Sequence, residues 1–162
     1  MTVSPEVPSG FYPAIEIWNG IINTLKSSAY IAQEIKNARD NTVTIYEEPL
    51  TDITAAMPDR GLAVWFKNEV DFLQGDNLET TTYKYYIDIQ KQRSTVTEAI
   101  QENYKFCENV KRVIENSIIL QGLAQYVRVH KFEPVEPPRK SGNFYTFTSC
   151  AEVEVITSGY YR

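Results

Sequence analysis

The chain has 162 residues, a formal net charge of -5, 43% hydrophobic and 23% charged residues, two cysteines and a single histidine. That length fits one domain with a core of its own. The acidic balance excludes a nonspecific nucleic-acid surface, which needs a basic face to displace phosphate counterions; Cys107, Cys150 and His130, far apart in sequence, do not make a zinc site.

Residues 1–12 (MTVSPEVPSGFY) hold prolines, serines and a glycine, and read as a flexible or extended arm. They show no basic region leading into a long apolar run, so no signal peptide is expected. No stretch reaches the roughly 20 apolar residues that span a bilayer. The protein is expected to be soluble and cytoplasmic when made. Pro13 then suits the first turn of a helix, where a missing N–H costs nothing. Ile17, Trp18, Ile21, Ile22 and Leu25 form an apolar stripe that resumes at Ile31 and Ile35 beyond the Ser27-Ser28 pair. The pattern predicts one long helix or two consecutive ones over 13–38.

TVTIY (42–46) predicts a short strand, and the prolines Pro49 and Pro58 predict a loop over 47–60. GLAVWFK (61–67) is almost wholly apolar, as a central strand buried on both faces would be. Gly75-Asp76-Asn77 is a turn signal, and TTTYKYYIDIQKQ alternates Tyr83, Tyr85, Ile87 and Ile89 with polar residues. The two segments predict a hairpin with an extended tip over 68–80. Thr95 and Glu98 have capping-box spacing. Ile100, Tyr104, Cys107, Val110, Ile114 and Ile118 follow as a helical stripe, with Gly122 as its terminator. YVRVHKF (126–132) predicts a strand, EPVEPPRKSGN a proline-rich connection, and residues 145–155 a last strand. Tyr145, Phe147, Ala151, Val153 and Val155 mark its inward face, and Thr146, Thr148, Glu152 and Glu154 its outward one.

Two amphipathic helical regions need a surface to cover. The expected fold is α+β: a mostly antiparallel sheet of about five strands with the helices packed on one face. One domain over 13–157 is expected between the arm and a C-terminal tail of residues 158–162. The sheet's other face, dotted with Tyr86, Thr146, Thr148, Glu152 and Glu154, is expected to open to water or to a partner.

Chemistry is hard to place on this chain. His130 lies on a strand with no nucleophile beside it, and no GxSxG, HExxH or Walker A sequence occurs. Glu47, Glu48 and Asp52 read as a solvated loop, and Arg139 and Lys140 as loop charges too few for a nucleic-acid site. Cys107 and Cys150 read as reduced thiols, with Cys150 partly exposed. The eleven tyrosines are compatible with protein contact surfaces and equally with strand propensity.

The order of these elements, MPDRGLAVWF, then TYKYYIDIQ, then STVTEAIQENYKFCENVKRVIENSI, then YVRVHKF and YTFTSCAEVEVI, resembles the tail terminator (tail completion) proteins of long-tailed bacteriophages. The resemblance covers about residues 13–157 and is one of pattern, with no diagnostic short motif. The hairpin tip, the arm and the Tyr160-Tyr161-Arg162 end depart from it. It implies a non-enzymatic subunit of a hexameric ring at the junction of tail and neck, with no cofactor. Such a ring caps the tail tube, stops its polymerisation and joins it to the head connector or head-closure protein. Its partners would be its own copies, the major tail tube protein and genomic DNA passing through without specific binding. It would assemble in host cytoplasm and reside in the virion. Candidate contacts are Phe72 and Leu73 in the hairpin tip, Tyr86 on the open face, and Tyr160, Tyr161 and Arg162 at the end. Another phage neck or tail component, a subunit of an unrelated ring machine, and a small α+β enzyme or ligand-binding domain are the alternatives.

Overall fold

A computed structural model of the chain describes residues 13–37, 40–52, 60–75, 78–116 and 126–160. Three helices, α1 (Pro13–Ser27), α2 (Ala29–Ile35) and α3 (Val96–Asn116), accompany six strands: β1 (Arg60–Gly75), β2 (Leu78–Arg93), β3 (Tyr126–Val129), β4 (Glu133–Pro134), β5 (Arg139–Ser141) and β6 (Phe144–Tyr160). The strands form one antiparallel sheet in the order β1-β2-β6-β3, with β4 and β5 also paired to β6. The fold is α+β, as the alternation of amphipathic helices and strands predicts.

The core lies between the sheet and the helices. Ile17, Ile21 and Leu25 of α1, Ile31 and Ile35 of α2, and Phe106, Val110 and Ile114 of α3 pack in one cluster with Leu62, Tyr85, Ile87, Ile89, Val153 and Val155. The sheet residues among these share one parity along each strand, so they share one face. Two hydrogen bonds position α1: Trp18 Nε1 donates to the Val64 carbonyl at 2.9 Å, and Tyr85 Oη donates to the Ala14 carbonyl at 2.6 Å. The helical stretch 13–38 divides at Ser28, whose backbone is extended and whose hydroxyl accepts from the Ile31 amide, capping α2.

Several expectations need correction. Residues 42–46 do not form a regular strand. Val43 bridges only to Lys36 and Tyr46 only to Ala63, the latter in parallel sense, and Pro49 soon follows. The apolar run 61–67 is not central: β1 ends the sheet order. Leu62, Ala63 and Val64 are nonetheless fully buried, with the extended Tyr46 bonded along the edge through Leu62 O and Val64 N. The hairpin also pairs much further than the alternation suggests. After a register shift between Phe66 and Glu69, β1 and β2 stay in ladder out to Gly75 and Leu78. The proline-rich connection is partly strand, with β4 and β5 laid on β6, an edge position where proline costs no ladder bond. Gly142, at φ 59°, then makes the two-residue turn from Ser141 to Phe144. The backbone of β6 continues through Ser158–Tyr160, paired to Thr80, Glu79 and Leu78, beyond the last apolar alternation at Val155. Residues 1–12 and Gly122 lie outside the described residues.

Helix α3 begins as its sequence predicts, with one difference. The Glu98 amide donates to Thr95 Oγ1 at 3.2 Å, but the Glu98 carboxylate accepts from Ser94 Oγ rather than from the cap amide. Its buried face is centred on Ala99, Asn103, Phe106, Cys107, Val110 and Ile114, which leaves Ile100 and Tyr104 half-buried at its margin.

Candidate interaction surfaces

Among the described residues no group of three metal-ligating side chains converges. His130 Nε2 lies 3.5 Å from Glu154 on the sheet surface. Glu47, Glu48 and Asp52 are exposed. Asp88, the one deeply buried carboxylate described, is taken up by the fold: its Oδ2 accepts from the Leu50 amide at 2.9 Å. Both thiols are held protonated. Burial pushes Cys107 up to about 12, against a weaker opposing hydrogen bond from Ser149. Cys150 is also raised, by burial first and then by the neighbouring Asp88. Neither is an activated nucleophile, because the thiolate is the reactive form.

The polar group that sequence reading missed is Asn103. It is wholly buried, and its amide nitrogen donates to the carbonyls of Ile89 (2.9 Å) and Phe147 (3.0 Å). Its oxygen accepts from Ser149 Oγ at 2.6 Å and from Cys107 Sγ at 3.3 Å. Every polar atom of the side chain is used, so this network staples α3 across β2 and β6 rather than offering a site to solvent. The available signal was a polar residue one turn before the apolar positions Phe106 and Cys107.

The face of the sheet away from the helices is not uniformly open. Thr146 and Thr148, expected outward, are 7% and 3% exposed, and Thr148 Oγ1 donates to Gln90 at 3.2 Å. Leu50, in a single 3-10 turn over Leu50–Asp52, is buried and bonded to Asp88 of the same face. Further along, the face is mixed. Trp65 and Tyr86 stack with centroids 4.4 Å apart, Lys84 lies 3.8 Å from Glu152, and Arg128 stands opposite Glu154 in register. The Trp65 indole N–H is enclosed and meets no acceptor among the described residues.

The candidate contact residues fall into two places. Phe72 and Leu73 stand opposite Thr81 and Thr80, and Tyr160 stands opposite Leu78, so all three share one end of the sheet. Tyr86 is mid-strand, five positions from Thr81 along β2, which is about 17 Å at the usual rise. Tyr161 and Arg162 lie outside the described residues. The far end of the sheet extends past the described helices. Ala14, in the first turn of α1, sits at Tyr85, and α1 runs back from there toward Val64. Helix α3 starts just after Arg93 and its 21 residues reach about 31 Å back along the sheet. Beyond Tyr85, β2 runs seven more residues to Leu78, or about 23 Å, flanked by β1 and β6 throughout; Tyr83, Val155 and Thr81 at its start are still buried.

On the helix side a groove runs between α3 and the β3–β4 edge. One part, of about 680 Å³, is lined by Ile100, Tyr104, Lys105, Lys111, Lys131 and Phe132 among others. A second, of about 480 Å³, shares Ile100 and Tyr104 and continues past Val135 and Phe147 to Pro138.

No protein-family model matches the chain, and no curated protein sequence matches it. No helix among the described residues is long and apolar enough to cross a membrane.

Proposed function

We propose that this chain is a structural ring subunit of the tail terminator type, without catalytic activity. It caps a phage tail tube, stops its polymerisation and joins it to the head connector. The observation that supports this reading best is the extension of β1, β2 and β6 beyond the described helices, with Phe72, Leu73 and Tyr160 at its end. A sheet that runs on past the described helices offers strand edges to neighbours. A head-to-tail contact of this kind, repeated around an axis, closes a ring. The element order that resembles the terminators supports the same reading, as does the engagement of Asp88 and Asn103 within the fold. In this reading the partners are further copies of the chain, the tube protein below and the connector above, with DNA passing through unbound.

The test is the mass of the purified protein in solution, with negative-stain imaging alone and with tail tubes. A closed ring, or a monomer that becomes a ring at one tube end, is the expected result. A monomer that ignores tubes would overturn the proposal.

A further inference from the structure

The groove beside α3 has a chemistry of its own, and the inference drawn from it does not rest on the ring reading. Its floor is apolar: Phe132 and Cys107 are buried, Ile100 is half-buried, and Tyr104 packs on Phe147 with centroids 5.6 Å apart. Its rim is basic on a chain that is otherwise acidic. Lys105, Lys111 and Lys131 are exposed along one part of it, with His130 bordering them. The carboxylates near it are Glu108 beside the lysines, Glu115 3.9 Å from Lys111, Glu154 3.5 Å from His130, and Glu136 at the far end, 4.0 Å from Arg139, so Lys105 and Lys131 carry most of the rim's basic charge. One wall is a helix. The other is the segment that carries β3 and β4, the last strands of the sheet on that side of β6. A helix facing a sheet edge across an apolar trough is the arrangement in which an extended peptide adds to the edge as a strand and seats alternate side chains in the trough.

We propose that this groove binds an extended acidic segment of a partner protein. Aromatic or aliphatic side chains of the segment lie over Ile100, Tyr104 and Phe132, and its carboxylates face Lys105, Lys111 and Lys131. The charge pattern selects this occupant: a basic segment would meet three lysines, and a purely apolar one would leave the rim unmatched.

The probe is a fluorescein-labelled decapeptide in which glutamate alternates with leucine and phenylalanine, titrated into the full chain by fluorescence anisotropy. Two controls replace its glutamates with lysine or its apolar residues with serine. Saturable binding is expected for the first peptide, with at least about tenfold weaker binding of either control. The double substitution Lys105→Glu and Lys131→Glu is expected to weaken binding about tenfold, as the loss and reversal of two rim pairs implies. Both lysines are exposed, and circular dichroism of the variant checks that it stays folded. Backbone amide shifts on binding should cluster at residues 100–111 and 130–135. The proposal is overturned by absence of saturable binding up to about 1 mM peptide, a limit of roughly 4 kcal/mol. Equal binding of the lysine peptide, indifference to the charge reversal, or shifts elsewhere overturn it as well. Concentration-dependent shifts at the groove without peptide would instead assign it to a second copy of this chain, and so reject the acidic partner.

Discussion

Replacing Asn103 by leucine tests whether the buried polar staple holds α3 to the sheet. Leucine keeps the branched shape, but its methyl groups cannot sit 2.6–3.0 Å from the partner oxygens, so some overpacking accompanies the loss of the polar contacts. Two donated bonds to the Ile89 and Phe147 carbonyls disappear, together with the acceptor for Ser149 and Cys107. The two carbonyls belong to paired strands and keep ladder partners, so their loss is about 1 kcal/mol each. The Ser149 hydroxyl keeps only the Cys107 sulfur at 3.2 Å, a weak partner, which adds about 1 kcal/mol for a poorly satisfied buried group. Relief from burying the amide is roughly offset by the overpacking, leaving an expected destabilisation of about 2–3 kcal/mol. With a urea m-value near 2 kcal/mol/M, the midpoint should fall by about 1–1.5 M. Circular dichroism and tryptophan fluorescence must give coincident curves for that figure to hold. Adding Ser149→Ala to Asn103→Leu should cost less than the sum of the two singles, by about 1 kcal/mol, because the two groups satisfy each other. A single-variant cost below about 0.5 kcal/mol, or strict additivity, would refute the network as a stabilising unit.

Thr95→Ala removes the hydroxyl that accepts from the Glu98 amide and should cost about 1 kcal/mol in the same urea titration. The Lys91 ammonium, 1% exposed, lies 3.1 Å from Glu34 and 4.4 Å from the centre of the Phe106 ring. Glu34→Gln leaves that buried charge with a weaker partner and should cost about 1–2 kcal/mol; Lys91→Met, which keeps the stem, should cost less, because the 29% exposed Glu34 side chain can rehydrate. For Cys107, burial raises the thiol from 9.0 to about 12, so the folded state holds its proton where the unfolded chain releases it. Stability is therefore intact below pH 9 and falls as pH rises from there toward 12; Cys107→Ala should flatten the decline between pH 9 and 10, and an unchanged slope would contradict the assigned burial.

The parts of the fold legible in the sequence are those with a clean period. The alternation of Tyr83, Tyr85, Ile87 and Ile89 specified an inward face, and the structure buries all four. The stripe of Ile17, Ile21 and Leu25 did the same for α1. What periodicity could not reveal was position in the sheet. The apolar run around Leu62 reads as central because it is buried on both sides, yet β1 ends the sheet and owes part of its burial to neighbours outside the ladder. The length of the strands was hidden for a related reason. Residues 68–80 lose the apolar alternation, but backbone pairing to β2 and then β6 does not require it. The candidate contacts were read separately from the hairpin tip, the open face and the chain end, so they scattered: Phe72, Leu73 and Tyr160 share one end, and Tyr86 lies elsewhere. The groove beside α3 was illegible, because it depends on how far the helix is rotated. A stripe read through Ile100 and Tyr104 as core hides that Asn103 and Phe106 are the true centre and that the first two stand at the margin.

These placements separate folding from assembly along the length of the sheet. Asn103, Lys91, Trp18 and Tyr85 tie the helices to β1, β2 and β6 between Arg93 and Tyr85, so substitutions there act on the stability of the subunit. The strands beyond Tyr85 are long for the described helices, and the helix ties just named do not reach them. A change of side chain at Phe72 or Leu73 should then leave the urea midpoint nearly unmoved while shifting any ring equilibrium, and Asn103→Leu should do the reverse. The two classes of variant are independent because they lie well over 10 Å apart along the strands, where energetic effects add. If instead Phe72 variants unfold the subunit as readily as Asn103 variants, the extension belongs to the subunit's own core. The ring reading would then lose the observation that best supports it.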